Sequence, residues 1–200
     1  MSNRAKYESQ NPIQRLLVNR FLERAAALAA HAAPARVLDA GCGEGFMSRA
    51  LARSLPGEVL PFGLELVREA LLAGAELSPA SQRGRTLQGS LVALPFKDRA
   101  FDLVVATEVL EHLDQPEAAL AELTRVARRH LLLSVPWEPW FCMMNLARAK
   151  NVRRLGSDPD HRQHWTRGGF LRMIARAGRV VAAPVDVLPW TLVLVERPPT

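Results

Sequence analysis

Apolar side chains recur three to four positions apart between residues 12 and 33, at Ile13, Leu17, Phe21, Ala25 and Leu28, with Arg15, Arg20, Glu23 and Arg24 on the other faces. That spacing predicts an amphipathic helix at the start of the chain. The next apolar run, ARVLDA (35–40), is short and unbroken, the mark of a buried strand. EGFMSRALARSL (44–55) predicts a helix stopped by Pro56-Gly57, and EVLPFGLE (58–65) a second strand with an irregular start at Pro61. A helix over 66–77, a weak strand in GRTLQGS (84–90) and a strong one in AFDLVVAT (100–107) follow. PEAALAELTRVAR is helical, with Pro116 in its first turn and Asp114 or Gln115 as cap. HLLLSVP (130–136) is a strand, 137–166 reads as irregular, 167–178 is a helix closed by Gly178, and RVVAAPV and WTLVLVER are final strands. Alternation of this kind implies an α/β fold: a doubly wound, mainly parallel sheet with helices on both faces. Such sheets collect ligands at the carboxyl ends of their central strands.

At 200 residues and 48% apolar content the chain predicts a single domain over 1–200, with 1–33 as an N-terminal helical segment. No apolar stretch approaches the roughly 18 residues of a spanning helix, so no transmembrane segment is expected and the chain reads as soluble and unprocessed. Cys42 and Cys142 lie far apart and form no disulfide framework, which makes a reducing, cytoplasmic setting the expectation. The net charge of +6 comes from 23 arginines and 3 lysines scattered over most elements, so no nucleic-acid partner is read from it. Monomer and homodimer both remain open.

The turn after the first strand, GCGEG (41–45), carries three glycines at alternate positions. It has no Gly-Lys-Ser/Thr for a triphosphate, and Glu44 places negative charge where a pyrophosphate would seek the helix N-terminus. A nucleoside with an amino-acid tail and no phosphate suits it better, because glycine lets backbone approach a ligand and Glu65, ending the next strand, offers oxygens to ribose hydroxyls.

VLDAGCGEG, GLEL and the long stretch GSLVALPFKDRAFDLVVATEVLEHLDQPEAALAELTRVARRHLLLSVP together resemble the class I S-adenosylmethionine-dependent methyltransferases, in the small-molecule branch that includes the quinone-biosynthesis enzymes. The resemblance covers roughly residues 35–136. It implies a Rossmann-like, seven-stranded sheet with the last strand antiparallel, S-adenosyl-L-methionine as cofactor (S-adenosyl-L-homocysteine as product) and a small-molecule acceptor. It also implies that Asp39, Gly41, Cys42 and Gly43 line the methionine half, that Glu65 takes the ribose and Leu66 covers the adenine. Ser90 and Leu91 fall at the adenine edge, serine replacing the family's usual aspartate, and Thr107 and Glu108 lie beneath the sulfonium.

Methyl transfer from a sulfonium is an in-line displacement, so alignment dominates and a base is needed only for a protonated nucleophile. The chain has no Asp-Pro-Pro-Tyr type motif of amide-nitrogen methylation. His112, next to Glu108 and Glu111, is one base candidate; no metal is assigned to that group. Residues 137–165 form an expected substrate insertion or lid, in which Trp137, Trp140, Phe141, Met143, Met144 and Trp165 can wall an apolar pocket. His161 and His164 are the other base candidates there, and Arg148, Lys150, Arg153, Arg154 and Arg162 make the segment basic. An oxygen or carbon acceptor on a phenolic, quinone-like or polyketide-like molecule is the leading expectation. RNA or protein methylation and a non-catalytic cofactor-binding subunit are the alternatives.

Overall fold

The computed structural model describes residues 7–57, 59–77, 85–147, 155, 160–181 and 185–198. Its first helix, α1 (Pro12–His31), begins on two start signals. The Asn11 side chain accepts from the N–H groups of Ile13 and Gln14, and Pro12, which has no N–H to leave unsatisfied, sits in the first turn. β1 (Val37–Ala40), α2 (Phe46–Ser54), β2 (Phe62–Glu65), α3 (Arg68–Leu77), β3 (Thr86–Gln88) and β4 (Phe101–Thr107) follow. A 3-10 turn at Leu110–His112 leads to α4 (Pro116–Val126) and β5 (Ala127–Pro136), then α5 (Glu138–Ala147), α6 (Arg167–Ile174), β6 (Arg179–Val180), β7 (Val185–Val187) and β8 (Trp190–Glu196).

The sheet runs β3-β2-β1-β4-β5-β8-β6, with β7 also paired to β8. Strands β1 to β5 are mutually parallel, and β8 lies antiparallel to β5. β6 and β7 both run antiparallel to β8, through Val180↔Val195 and Val185↔Leu192. They are two pieces of one interrupted strand position, so eight short strands fill the expected seven places and β8 alone is reversed.

Side chains alternate across the sheet. Leu103 and Val105 of β4 join Val37, Leu132 and Leu192 beneath α1 (Val18, Phe21, Ala25) and α2 (Met47, Leu51). Val104 and Ala106 join Leu38, Leu131 and Val193 beneath α4 (Leu120, Leu123) and α6 (Phe170, Ile174). Each large apolar side chain so buried contributes roughly 1.5–3 kcal/mol. Among the described residues no helix is long and apolar enough to cross a membrane.

Two expectations change in detail. α5 replaces part of the irregular stretch expected after β5: its proline, Pro139, stands in the first helical turn, where a missing N–H does no harm. β2 starts only after Pro61, a residue that cannot donate to a ladder. The basic residues Arg148, Lys150, Arg153 and Arg154, and part of RVVAAPV, lie outside the described residues.

The chain runs outward from β1 to β3 and then crosses back to place β4 on the other side of β1. This reversal opens a crevice at the carboxyl ends of β1 and β4.

Candidate cofactor and acceptor site

Gly41, Gly43 and Gly45, in the turn from β1 to α2, have φ of +80°, +51° and +76°. L side chains rarely adopt that region. A Cβ on Gly41 would also lie 2.5 Å from Val109 Cγ2. The turn is tied to β2: the N–H groups of Gly41 and Cys42 donate to the Leu64 carbonyl at 2.7 and 3.0 Å. Gly43 N–H donates to Glu65 Oε2 and Val67 N–H to Oε1, both at 2.9 Å. Glu65 therefore anchors the loop through Oε2 and its own following turn through Oε1, and each oxygen keeps a further lone pair. Behind the loop, a Cβ on Gly74 would lie 3.0 Å from the Glu44 carbonyl, so glycine there lets α3 pack against it.

The loop, the start of α2 and the end of β4 enclose a cleft lined by Asp39, Gly41, Cys42, Glu44, Met47, Thr107 and Glu108. Tyr7, from the segment ahead of α1, lines it too and stacks on Phe46, with ring centroids 4.4 Å apart and planes at 6°. Asp39 is buried and accepts from Ser48 Oγ at 2.6 Å. Burial pushes its carboxyl up to about 6, the Ser48 bonds opposing and the Glu65 charge reinforcing the rise. Burial, then the carboxylates of Glu108, Asp39, Glu44 and Glu111, hold the Tyr7 phenol well above its ordinary range. Cys42 is likewise pushed up by burial and stays a neutral thiol, a wall and not a nucleophile. Glu108 has φ +55°, a left-handed backbone at a non-glycine residue. Strain of this kind gathers at functional sites.

The cleft's charged lining is thus acidic: Asp39, Glu44 and Glu108, with no basic residue among the described lining. Leu66, next to Glu65 in the chain, is 57% exposed, an uncovered apolar face. Ser90 Oγ accepts from Val92 N–H at 3.4 Å, whereas Leu91 is buried in the core with Leu64 and Leu94.

The three histidine candidates come together at the same end of the sheet. His112 and His161 have ring centroids 5.2 Å apart, and His161 and His164 6.3 Å apart. His112 Nδ1 lies 2.9 Å from the Asp160 carbonyl. A carbonyl only accepts, so Nδ1 carries the proton and Nε2 is left as the basic nitrogen. His161 Nδ1 lies 2.9 Å and His164 Nδ1 3.3 Å from Glu138 Oε1, and the Cys142 thiol donates to Glu138 Oε2 at 3.1 Å. Burial alone would raise the Glu138 carboxyl, but the bonds from His161, Cys142 and His164 outweigh it and hold the group low. The loop carrying these histidines is fastened by the Arg162 and Gln163 N–H groups, which donate to the Glu111 carbonyl at 2.8 and 3.0 Å.

Among the aromatic candidates, Phe141 lies 5.1 Å from His161 and Trp137 6.1 Å from Trp140, between ring centroids. Trp140 and Met143 are exposed. Trp165 instead tilts against Phe170 at 6.1 Å and packs on the core. Sequence reasoning missed Tyr7 and Glu138. The signal for the first is that it is the chain's one tyrosine, set in a polar stretch. For the second it is Glu138 standing one helical turn before Cys142, ahead of His161-Arg162-Gln163-His164.

Residues 38–133 match a family described as a methyltransferase domain. A demethylmenaquinone methyltransferase from Roseiflexus castenholzii is 34% identical over 166 residues, covering 77% of this chain and 68% of that protein. A malonyl-acyl-carrier-protein O-methyltransferase from Halorhodospira halophila is 34% identical over 122 residues, covering 60% of this chain, which spans only 40% of that relative's length. In fold, the chain is similar to magnesium protoporphyrin IX methyltransferase from Synechocystis, solved with bound S-adenosylhomocysteine: TM-score 0.68, 19% identity, covering 94% of this chain and 88% of that one.

Proposed function

The chain belongs to the methyltransferase domain family, whose cofactor is S-adenosylmethionine, and from that premise we propose that it methylates a small-molecule acceptor at an oxygen or carbon nucleophile. The observation that carries this reading is the acidic cleft at the glycine loop. Carboxylates at Asp39, Glu44 and Glu108 repel a phosphate and attract a ligand with an ammonium and a sulfonium. In this reading the methionine half lies against Asp39 and the glycine turn, Glu65 takes the ribose hydroxyls, and Leu66 and Ser90 border the adenine. Thr107, the last residue of β4, and Glu108 just after it stand where the sulfonium would face the acceptor.

The acceptor's electron pair, a lone pair on oxygen or a ring π pair on carbon, forms a bond to the methyl carbon as the carbon–sulfur bond breaks, and the broken bond's electrons leave on sulfur as a neutral thioether; a ring carbon then loses its proton to solvent. A hydroxyl acceptor also loses a proton, and His112 Nε2 is the base the hydrogen-bond pattern leaves free to take it. His161 and His164, both held by Glu138, then serve with Trp137, Trp140 and Phe141 as wall of the acceptor pocket. The test is transfer of label from methyl-labelled S-adenosylmethionine to a panel of phenols and quinols. Labelled ether or C-methyl product supports the reading, with His112→Ala lowering turnover on hydroxyl acceptors without changing cofactor affinity. Label appearing only in RNA or protein would replace it.

A further inference from the structure

Outside the cleft, one cluster joins four side chains of the kind that bind transition metals. Glu138 and Cys142 stand one turn apart on α5, and His161 and His164 are presented by the loop that enters α6. We propose that Glu138, His161 and His164 form a binding site for a zinc-class divalent ion, which clamps α5 to that loop, with Cys142 as a hydrogen-bond support of the carboxylate.

The distances fit a coordination shell. Donors about 2.0–2.1 Å from a tetrahedral zinc ion lie about 3.3 Å from one another. His164 Nδ1 is 3.3 Å and His161 Nδ1 2.9 Å from Glu138 Oε1, so a shift of a few tenths of an ångström opens the shell. One donor atom from each of Glu138, His161 and His164 falls within 4.8 Å of the others. The Cys142 sulfur, 3.1 Å from the second Glu138 oxygen, is not one of that set; its thiol donates to the carboxylate and steadies it from behind. Two imidazoles and a carboxylate select zinc or cobalt over magnesium or calcium, which favour all-oxygen shells. The site is also supported and reachable. The His161 side chain is 5% exposed and the Glu138 side chain 11%, so both are held by packing, while His164 at 49% leaves an entry path.

His161 is shared with a second grouping, since its donor atom also lies within 4.8 Å of Glu111 and His112. The Glu138 group is preferred because both of its imidazoles already stand within 3.3 Å of one carboxylate oxygen.

Cobalt(II) titration of the chelator-treated protein tests this, because the ion's visible spectrum reports its coordination geometry. Expected are one cobalt per chain, d–d bands of a four- or five-coordinate ion, and displacement by zinc. Cys142→Ser, which keeps a donor to the carboxylate, should leave the cobalt spectrum unchanged, and His164→Ala, at a half-exposed position, should weaken binding about 10- to 100-fold with an unchanged circular dichroism spectrum. No cobalt spectrum in the wild-type protein overturns the site. So does binding that survives His164→Ala and disappears with His112→Ala, which would move the ion to the Glu111 group.

Discussion

Replacing Glu65 by alanine removes both an anchor of the glycine turn and the acceptor proposed for the ribose hydroxyls. Losing a charge-assisted contact of this kind lowers affinity by roughly 1.5–3 kcal/mol, a ten- to hundredfold rise in Kd for S-adenosylmethionine. Calorimetric affinity equal to wild type would remove Glu65 from the site. Asp39 gives a prediction with a sign. Below its ordinary 3.8 the folded and unfolded chains both hold the proton; between 3.8 and about 6 only the folded chain does. Stability therefore falls as pH rises through that window, and the loss is complete above about 6. Its size is about 3 kcal/mol, at about 1.4 kcal/mol for each pH unit between the two values. Asparagine has no proton to lose and can still accept from Ser48. Denaturant unfolding of Asp39→Asn against wild type should thus show an advantage that grows from pH 4 to 6 and then levels. An advantage independent of pH would mean that Asp39 is not held protonated by its surroundings.

The segment ahead of α1 brings Tyr7 to the cleft, so the N-terminal element helps to wall it as well as cover the sheet. Tyr7→Ala removes the stack on Phe46 and should weaken S-adenosylmethionine binding by roughly 0.5–1.5 kcal/mol, while Tyr7→Phe keeps it near wild type. Equal affinities in all three proteins would make the contact incidental. How legible each element was in the sequence depends on where its signal lies. α1 carries its cap, its proline and its period locally, and β4 is an unbroken apolar run, so both were readable. The glycine turn was readable because left-handed backbone at three places demands that residue. α5 was not: EPWFCMMNLA is apolar on nearly every face and shows no period, and its proline counts against a helix until its place in the first turn is known. The splitting of the edge strand into β6 and β7 was hidden because pairing with β8 decides it. Tyr7 against Phe46 and Glu138 against His161 are contacts between residues far apart in sequence, and no local pattern encodes them.

Across the whole molecule, charge is divided between a chain of net +6 and a cleft whose charged lining is acidic. That division suits a cationic cofactor whose attraction to the site weakens once its methyl is gone, since the thioether product has lost the sulfonium charge. The doubly wound sheet explains the placement, because its reversal between β1 and β4 puts the glycine turn, Asp39 and Glu108 around one crevice. The elements after β5 supply the proposed acceptor side, where α5 and the histidine loop converge on Glu138. Cofactor and acceptor roles alike require that the cleft hold S-adenosylmethionine. The most direct measurement is titration calorimetry of S-adenosylmethionine into the wild-type protein at neutral pH. One site per chain with a Kd of about micromolar order, near −8 kcal/mol, is the expected result. Absence of saturable binding up to about millimolar cofactor, a free energy weaker than about −4 kcal/mol, would contradict it.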